Sequence, residues 1–109
     1  MTKVLKYNNE DTIKTFIADS YTKRLCGYMF RKRPHHDAIL LKPCNSIHTF
    51  FMKFNIDVLF LNEHMKVIIK IENLKPGQVV AKVKGAKLVL EAKEGTFYNI
   101  KEGSKLDIC

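Results

Sequence analysis

The segment 44–61 constrains the fold more than any other part of this chain. It holds four phenylalanines, a methionine and several aliphatic residues, with a single His, a single Lys and a single Asp. A stretch of this composition belongs in the interior of a fold, because apolar side chains are driven out of water. The three ionisable side chains His48, Lys53 and Asp57 are therefore either held at the ends of the segment or placed there for a chemical purpose.

The length and composition predict one soluble domain. A chain of 109 residues with 46% hydrophobic residues can bury a single core and is too apolar for a disordered protein. No window approaches the ~18 consecutive apolar residues of a membrane span. The first residues lack the apolar run and cleavage site of a secretory signal, so we expect a cytoplasmic location.

The three cysteines give no disulfide framework. Their number is odd and their spacing shows no repeat, so we expect three reduced thiols. Cys44 and His48 have a C-x3-H spacing, to which His35 and His36 could add ligands. A zinc site needs three or four converging ligands at defined spacings, and this pattern does not supply them. We therefore predict no metal and no cofactor.

The periodicity of the chain predicts a mainly β fold, either an antiparallel sandwich or a partly closed barrel. Asp19 and Ser20 offer a helix N-cap, and apolar residues then recur at helical spacing, which predicts one helix of two to three turns over 21–30. The remaining segments have the short apolar or alternating patterns of strands, separated by turn residues. The predicted strands are 4–7, 12–18, 38–41, 47–54, 56–61, 67–71, 79–84, 88–93 and 106–108.

Several of these segments together resemble a known family. Residues 24–31 read Arg-Leu-Cys-Gly-Tyr-Met-Phe-Arg and resemble the R-x-x-G-x-M-x-R segment of the prokaryotic family called domain of unknown function 192. Residues 51–53 and 56–61 resemble its central W-M-K and I-x-L-D-I-L-F-I block, with Phe51 in place of Trp. Residues 89–95 resemble its V-L-E-L-x-x-G segment, with Ala92 in place of Leu. The resemblance implies a compact β-sandwich-like domain with a short helix, and it implies no reaction.

A first candidate site lies on the predicted helix. Arg24, Gly27 and Arg31 are spaced i, i+3 and i+7, which would place them on one helix face. Two guanidinium groups on one face could hold a carboxylate or a phosphate. In the alternative interpretation a sheet packs against Gly27 and Arg24 pairs with a carboxylate, either Asp57 or Glu91.

A second candidate site consists of ionisable residues inside apolar strands. His48, Lys53, Asp57 and Glu91 all have this setting, and such groups are seldom buried without a partner. They could form a polar pocket in which His48 or Asp57 is a general base and Lys53 binds an anion. In the structural alternative Asp57 simply pairs with Lys53 or Arg24. The parity of an unbroken strand points His48 and Lys53 to opposite faces, which favours the structural alternative.

A third feature is the basic segment that follows the predicted helix. The chain has a net charge of +8, and no acid occurs between Asp19 and Asp37. A surface of this kind attracts an anionic ligand, an acidic partner or nucleic acid, although it could also serve only as a solvated face. The predicted basic patch consists of Arg31, Lys32, Arg33, His35 and His36.

Three functional hypotheses follow from these observations. The first is a small cytoplasmic binding or accessory domain with a basic, anion-attracting face. The second is an enzyme whose pocket is built from Arg24, His48, Lys53 and Asp57. The third is a nucleic-acid-binding domain, since aromatic residues interleaved with basic ones can stack bases. The aromatic candidates for that role are Tyr21, Tyr28 and Phe30.

Overall fold

The chain folds into a curled sheet of seven strands, with one short helix and a small two-stranded sheet packed on its outer side. This computed structural model describes residues 1–108, so the thiol predicted for Cys109 lies outside the described residues. No helix among residues 1–108 is long and apolar enough to cross a membrane. The elements are β1 (Thr2–Tyr7), β2 (Asp11–Ala18), α1 (Tyr21–Cys26), β3 (Ala38–Leu41), β4 (Ile47–His48), β5 (Ile56–Leu61), β6 (Val67–Leu74), β7 (Val79–Val80), β8 (Leu88–Lys93) and β9 (Asp107–Ile108).

The large sheet has the strand order β6-β5-β8-β3-β2-β1-β9. Its neighbouring strands are antiparallel except for β2 and β3, which are parallel and are joined by the crossover that contains α1. The C-terminal segment contacts both edges of the sheet. Strand β9 pairs with β1, while the Val67 N–H at the start of β6 donates to the Ser104 carbonyl at 2.8 Å. The sheet is therefore curled into a half-barrel, which confirms the predicted β-rich, partly closed architecture.

Two apolar cores lie on the two faces of this sheet. Strand β8 shows the division, because Leu88, Leu90 and Ala92 face the inner core while Val89 faces the outer one. The inner core gathers side chains from most strands of the curled sheet. The outer core is completed by Tyr28, Met52 and other residues of the covering layer. Strand parity places Glu91 on the same outer face as Val89.

The covering layer contains less strand than the sequence predicts. The predicted strand 47–54 is reduced to Ile47–His48, and the predicted strand 79–84 is reduced to Val79–Val80. Strand β4 ends where Thr49 makes two side-chain hydrogen bonds to the segment before β7. Its hydroxyl donates to the Lys75 carbonyl at 2.7 Å and accepts from the Gln78 N–H at 2.8 Å. These hydrogen bonds fix Thr49 at the point where the chain turns after β4.

The helix is also shorter than predicted. It covers Tyr21–Cys26 instead of 21–30, which is less than the predicted two to three turns. Ser20 is the N-cap, as expected, and its side chain accepts from the Lys23 N–H at 3.3 Å. Gly27 ends the helix, because its φ of +43° leaves the helical region. Arg31 therefore lies outside the helix, and the predicted helix face shared by Arg24 and Arg31 does not exist.

Candidate ligand cleft

A cleft of about 310 Å³ lies between α1 and the covering segment that contains β4. Residues of α1 and of the segment 44–52 line it together with Leu41 and Glu91 of the large sheet. The floor and walls combine apolar side chains with a few polar ones, as ligand sites commonly do. The lining residues are Tyr21, Arg24, Leu25, Gly27, Leu41, Cys44, Ser46, Ile47, His48, Met52 and Glu91.

Glu91 is the most unusual residue of this cleft. Its side chain extends from β8, an interior strand of the large sheet, and the residue is only 2% exposed. Within residues 1–108, no group donates a hydrogen bond to its buried Oε1 atom. Burial raises the pKa of this carboxyl to about 8, so the group holds its proton at neutral pH. A buried polar atom without a partner is costly, which marks Glu91 as a candidate functional residue.

Gly27 leaves room for this carboxyl. A Cβ atom at position 27 would lie 3.3 Å from Glu91 Oε1, closer than side chains ordinarily approach. The residue also has φ +43° and ψ −120°, a conformation that favours glycine. The glycine at the end of α1 therefore serves both the backbone turn and the space beside Glu91.

Arg24 lines the cleft without a carboxylate partner among the described residues. Its Nη1 atom donates to the Lys42 carbonyl at 3.4 Å, which is a long hydrogen bond. The prediction that Asp57 or Glu91 pairs with Arg24 is wrong, since the ion pairs found within residues 1–108 do not include this guanidinium. Most of its hydrogen-bond donors therefore remain available to a ligand.

His48 and Cys44 line the same cleft and are both half-buried. The Phe50 N–H donates to His48 Nδ1 at 3.2 Å, so a neutral His48 carries its proton on Nε2. Burial, the largest influence, raises the pKa of the Cys44 thiol, and Sγ donates to the Ser46 carbonyl at 3.0 Å. Cys44 is therefore a thiol at neutral pH and a poor nucleophile. No set of three His, Cys, Asp or Glu residues converges anywhere in 1–108.

Asp57 has a structural role on the other side of the sheet. Its Oδ1 accepts from the Asn73 N–H at 3.0 Å, and its Oδ2 accepts from the Gly95 and Phe97 N–H groups at 2.9 and 3.2 Å. Lys53 is exposed and does not line the cleft. The prediction that Asp57 and Lys53 share one pocket with Arg24 and His48 is therefore wrong, and so is the alternative in which Asp57 pairs with a cation.

The basic segment lies outside the cleft. Arg31, Lys32 and Arg33 are exposed, as the sequence suggested. His36 is half-buried and stacks on Phe16 with centroids 4.5 Å apart, whereas His35 is exposed and its ring meets the ring of Tyr28 edge-on. Burial first, and then nearby cations including Arg31, lower the pKa of both histidines. The positive charge of this patch at neutral pH therefore comes from its Arg and Lys side chains.

The aromatic residues proposed for base stacking have different environments. Tyr28 is fully buried and its hydroxyl donates to the His36 carbonyl at 3.1 Å, so it cannot stack a base. Phe30 is 65% exposed, although a helical position would have placed it equally well in the core. Tyr21 is 73% exposed and lies at the rim of the cleft.

Sequence reasoning named Glu91 as a candidate but missed its place at the floor of the cleft. The signal was present in the alternation of β8, where Leu88, Leu90 and Ala92 share one face and Glu91 lies on the other. The approach of Gly27 to Glu91 depends on how α1 packs over the sheet, and no periodicity in the chain encodes that packing.

Comparison with known proteins identifies the family. A family model described as "Uncharacterized ACR", the domain of unknown function 192, matches residues 3–108. A UPF0127 protein of Pyrococcus horikoshii is 36% identical over 90 residues, which is 78% of this chain and 76% of the relative. A UPF0127 protein of Pyrococcus furiosus is 32% identical over 105 residues, covering 90% of this chain and 89% of the relative.

Two solved structures share the fold. A Sinorhizobium meliloti protein whose name suggests a transcription regulator superposes with a TM-score of 0.82 at 18% identity, covering 98% of this chain and 92% of that one. A protein of unknown function from Novosphingobium aromaticivorans gives a TM-score of 0.81 at 17% identity, with 98% and 84% coverage. These likenesses support the fold alone. The family match and the archaeal relatives show that the chain belongs to the domain of unknown function 192 family.

Proposed function

We propose that this domain binds a small anionic molecule in the cleft between α1 and β4. Arg24 supplies a cation for the ligand, and the protonated carboxyl of Glu91 supplies a hydrogen-bond donor at the floor. The single observation that carries the proposal is the buried Oε1 of Glu91, which has no hydrogen-bond partner of either kind within residues 1–108 and belongs to a residue that lines an open cleft.

The chemistry of the two groups favours an oxyanion, such as a carboxylate or a phosphate. A guanidinium binds either group through two parallel hydrogen bonds. A carboxyl group that keeps its proton at neutral pH donates to an anionic oxygen instead of repelling it. The apolar wall formed by Leu41, Ile47 and Met52 suits a small carbon skeleton attached to the anion.

Binding has more support than catalysis. The Cys44 thiol is not activated, because burial raises its pKa. The Nδ1 atom of His48 already accepts a backbone hydrogen bond, and Asp57 is occupied by three backbone N–H groups. The cleft therefore holds recognition groups without an assembled nucleophile and base.

An NMR titration with small anions tests this proposal. Inorganic phosphate, small carboxylates and phosphate monoesters are added to the 15N-labelled protein. We expect shifts concentrated at residues lining the cleft, including Gly27 and His48. Arg24→Gln should remove the shifts, whereas Lys101→Gln, an exposed position outside the cleft, should retain them. Shifts that are absent for every anion, or unchanged in Arg24→Gln, would contradict the proposal.

A further inference from the structure

Three phenylalanines are exposed on the loops beside the cleft. Phe30 is 65% exposed, Phe50 is 43% exposed and Phe51 is 63% exposed. The rings of Phe30 and Phe51 stack on each other with centroids 5.1 Å apart and an interplanar angle of 22°. We call Phe30, Phe50 and Phe51 the phenylalanine tip. A cluster of this kind in water indicates an interaction surface more often than isolated exposed apolar residues do.

The backbone holds two residues of the phenylalanine tip, Phe30 and Phe51, in an unfavourable conformation. Phe30 has a φ of +63° and Phe51 a φ of +64°, which is a strained region for bulky residues. The Phe30 N–H donates to the Phe51 carbonyl at 2.8 Å and so joins the two loops. The Met52 N–H donates to the Thr49 carbonyl at 3.2 Å, which fixes the turn below Phe51. The strain is maintained by contacts that keep both rings outward.

Cations flank the phenylalanine tip in sequence. Arg31, Lys32 and Arg33 follow Phe30 directly, and Lys53 follows Phe51 by two residues, all four with exposed side chains. No acidic residue occurs in residues 20–36 or 38–56. The apolar rings are therefore accompanied by positive charge alone.

We propose that the phenylalanine tip docks the protein on an anionic lipid surface. The rings would enter the boundary between headgroups and acyl chains, and the four flanking cations would contact lipid phosphates. Charge complementarity supports this occupant, since a zwitterionic or neutral surface gains nothing from the cations. The proposal rests on different residues from the cleft and stands independently of it.

The ring geometry favours lipid over single-stranded nucleic acid. Base stacking uses an open ring face, and the mutual stacking of Phe30 and Phe51 leaves each ring one such face instead of two. The ring of Phe50 is likewise stacked on His48, with centroids 5.2 Å apart. The tip offers no polar group on its side chains for reading a base, whereas insertion into a bilayer requires none.

Vesicle sedimentation tests the proposal. The protein is mixed with phosphatidylcholine vesicles that contain or lack phosphatidylglycerol. We expect binding only with phosphatidylglycerol, weakened roughly tenfold or more by the double change Phe30→Ser and Phe51→Ser. The control is Val4→Ser with Tyr98→Ser, which removes two exposed apolar side chains outside the phenylalanine tip and should leave binding unchanged.

A charge-matched pair of variants tests whether the position of the cations matters or only the net charge of the protein. Changing Arg31, Lys32 and Arg33 to Ser should abolish the preference for phosphatidylglycerol, whereas changing the exposed Lys82, Lys84 and Lys87 to Ser should preserve it. Equal losses in both triple variants would show that only net charge matters and would overturn the proposal.

A fluorescence measurement covers the case in which the serine variants unfold. The chain has no Trp, so Phe51→Trp provides a unique reporter. We expect its emission to shift to the blue with phosphatidylglycerol vesicles and to be quenched by brominated acyl chains. An unshifted emission on bound protein, or no binding to anionic vesicles at low salt, would overturn the proposal. Binding of a single-stranded oligonucleotide, without vesicle binding, would assign the tip to nucleic acid instead.

Discussion

Two buried carboxyl groups in neighbouring strands have opposite environments. Asp57 on β5 is 1% exposed and accepts hydrogen bonds from three backbone N–H groups. Glu91 on β8 is 2% exposed, and its Oε1 accepts none within residues 1–108. The first carboxyl organises the loops around it, because it satisfies backbone donors that have left the strand pairing. The second is left with capacity for a ligand.

Removing the Asp57 carboxyl should destabilise the fold. Asp57→Ala leaves three backbone N–H groups without their acceptor, which we expect to lower the free energy of unfolding by about 3 kcal/mol. Urea denaturation of the variant measures this loss. A change below about 1 kcal/mol would show that water replaces the carboxylate without cost, and the structural role assigned here would be wrong.

Glu91 should make stability depend on pH in a defined window. The folded carboxyl has a pKa raised to about 8 by burial, whereas the ordinary value is 4.5. Between these two pH values the folded state binds more protons than the unfolded state. The contribution of Glu91 to stability therefore falls as pH rises through the window and is constant above it.

Glu91→Gln isolates this effect, because an amide of similar shape does not titrate. The free energy of unfolding of the variant, relative to that of the natural protein, should increase as pH rises from about 4.5 to about 8. Urea denaturation below, within and above the window measures the difference. Parallel pH profiles for the two proteins would contradict a raised pKa in the folded state.

The helix and the strands show which elements the sequence can predict. Strands β3 and β5 were predictable from their unbroken apolar runs, and β8 was predictable from the alternation of Leu88, Leu90 and Ala92, although it is buried on both faces rather than on one. The start of α1 was predictable from its Ser20 cap. The end of α1 was not, because Leu25 and Met29 continue a helical spacing past Gly27. There the packing of Gly27 beside Glu91 overrides the local pattern.

The cleft was only partly predictable, because tertiary packing decides which side chains meet there. Arg24, His48 and Glu91 were predicted as candidates because they are ionisable residues in apolar or helical segments, and the structure brings all three to one cleft. Asp57 was predicted as a candidate on the same grounds, but its carboxylate has a structural role. Its backbone partners come from the loop after β8 and from β6, so their convergence depends on tertiary structure.

Gly27→Ala tests the junction between α1 and β8. The substitution combines an unfavourable φ with a Cβ 3.3 Å from Glu91 Oε1, and we expect a loss of about 2 kcal/mol in the free energy of unfolding. Gly77→Ala is the matched control, because Gly77 also has a positive φ but no atom within 4 Å of an added Cβ. Equal losses in the two variants would show that the contact with Glu91 contributes nothing.

At the scale of the whole molecule, the half-barrel is a scaffold that presents two loops and the cleft on its outer side. The C-terminal segment contacts both edges of the sheet and so stiffens the scaffold. The net charge of +8 is unevenly distributed, with long acid-free stretches in the two loops that carry the phenylalanine tip. We propose that this asymmetry orients the molecule toward anionic surfaces and ligands.

Retention on heparin measures this charge asymmetry. The triple change of Arg31, Lys32 and Arg33 to Ser should lower the salt concentration of elution, because screening and counterion release oppose anion binding. All three side chains are exposed, so the free energy of unfolding should stay within about 0.5 kcal/mol of that of the natural protein. Elution at the same salt concentration as the natural protein would show that these residues form only a solvated loop.

The carboxyl 13C chemical shift of Glu91, followed against pH, tests the central claim most directly. Comparison with Glu91→Gln assigns the signal. The account predicts a midpoint near the raised pKa of about 8, because within residues 1–108 no ion pair involves Glu91 and its buried Oε1 has no hydrogen-bond partner that would stabilise the charge. A midpoint near 4.5, the ordinary value, would mean that the carboxyl is solvated or paired, and the proposed ligand cleft would lose the observation on which it rests.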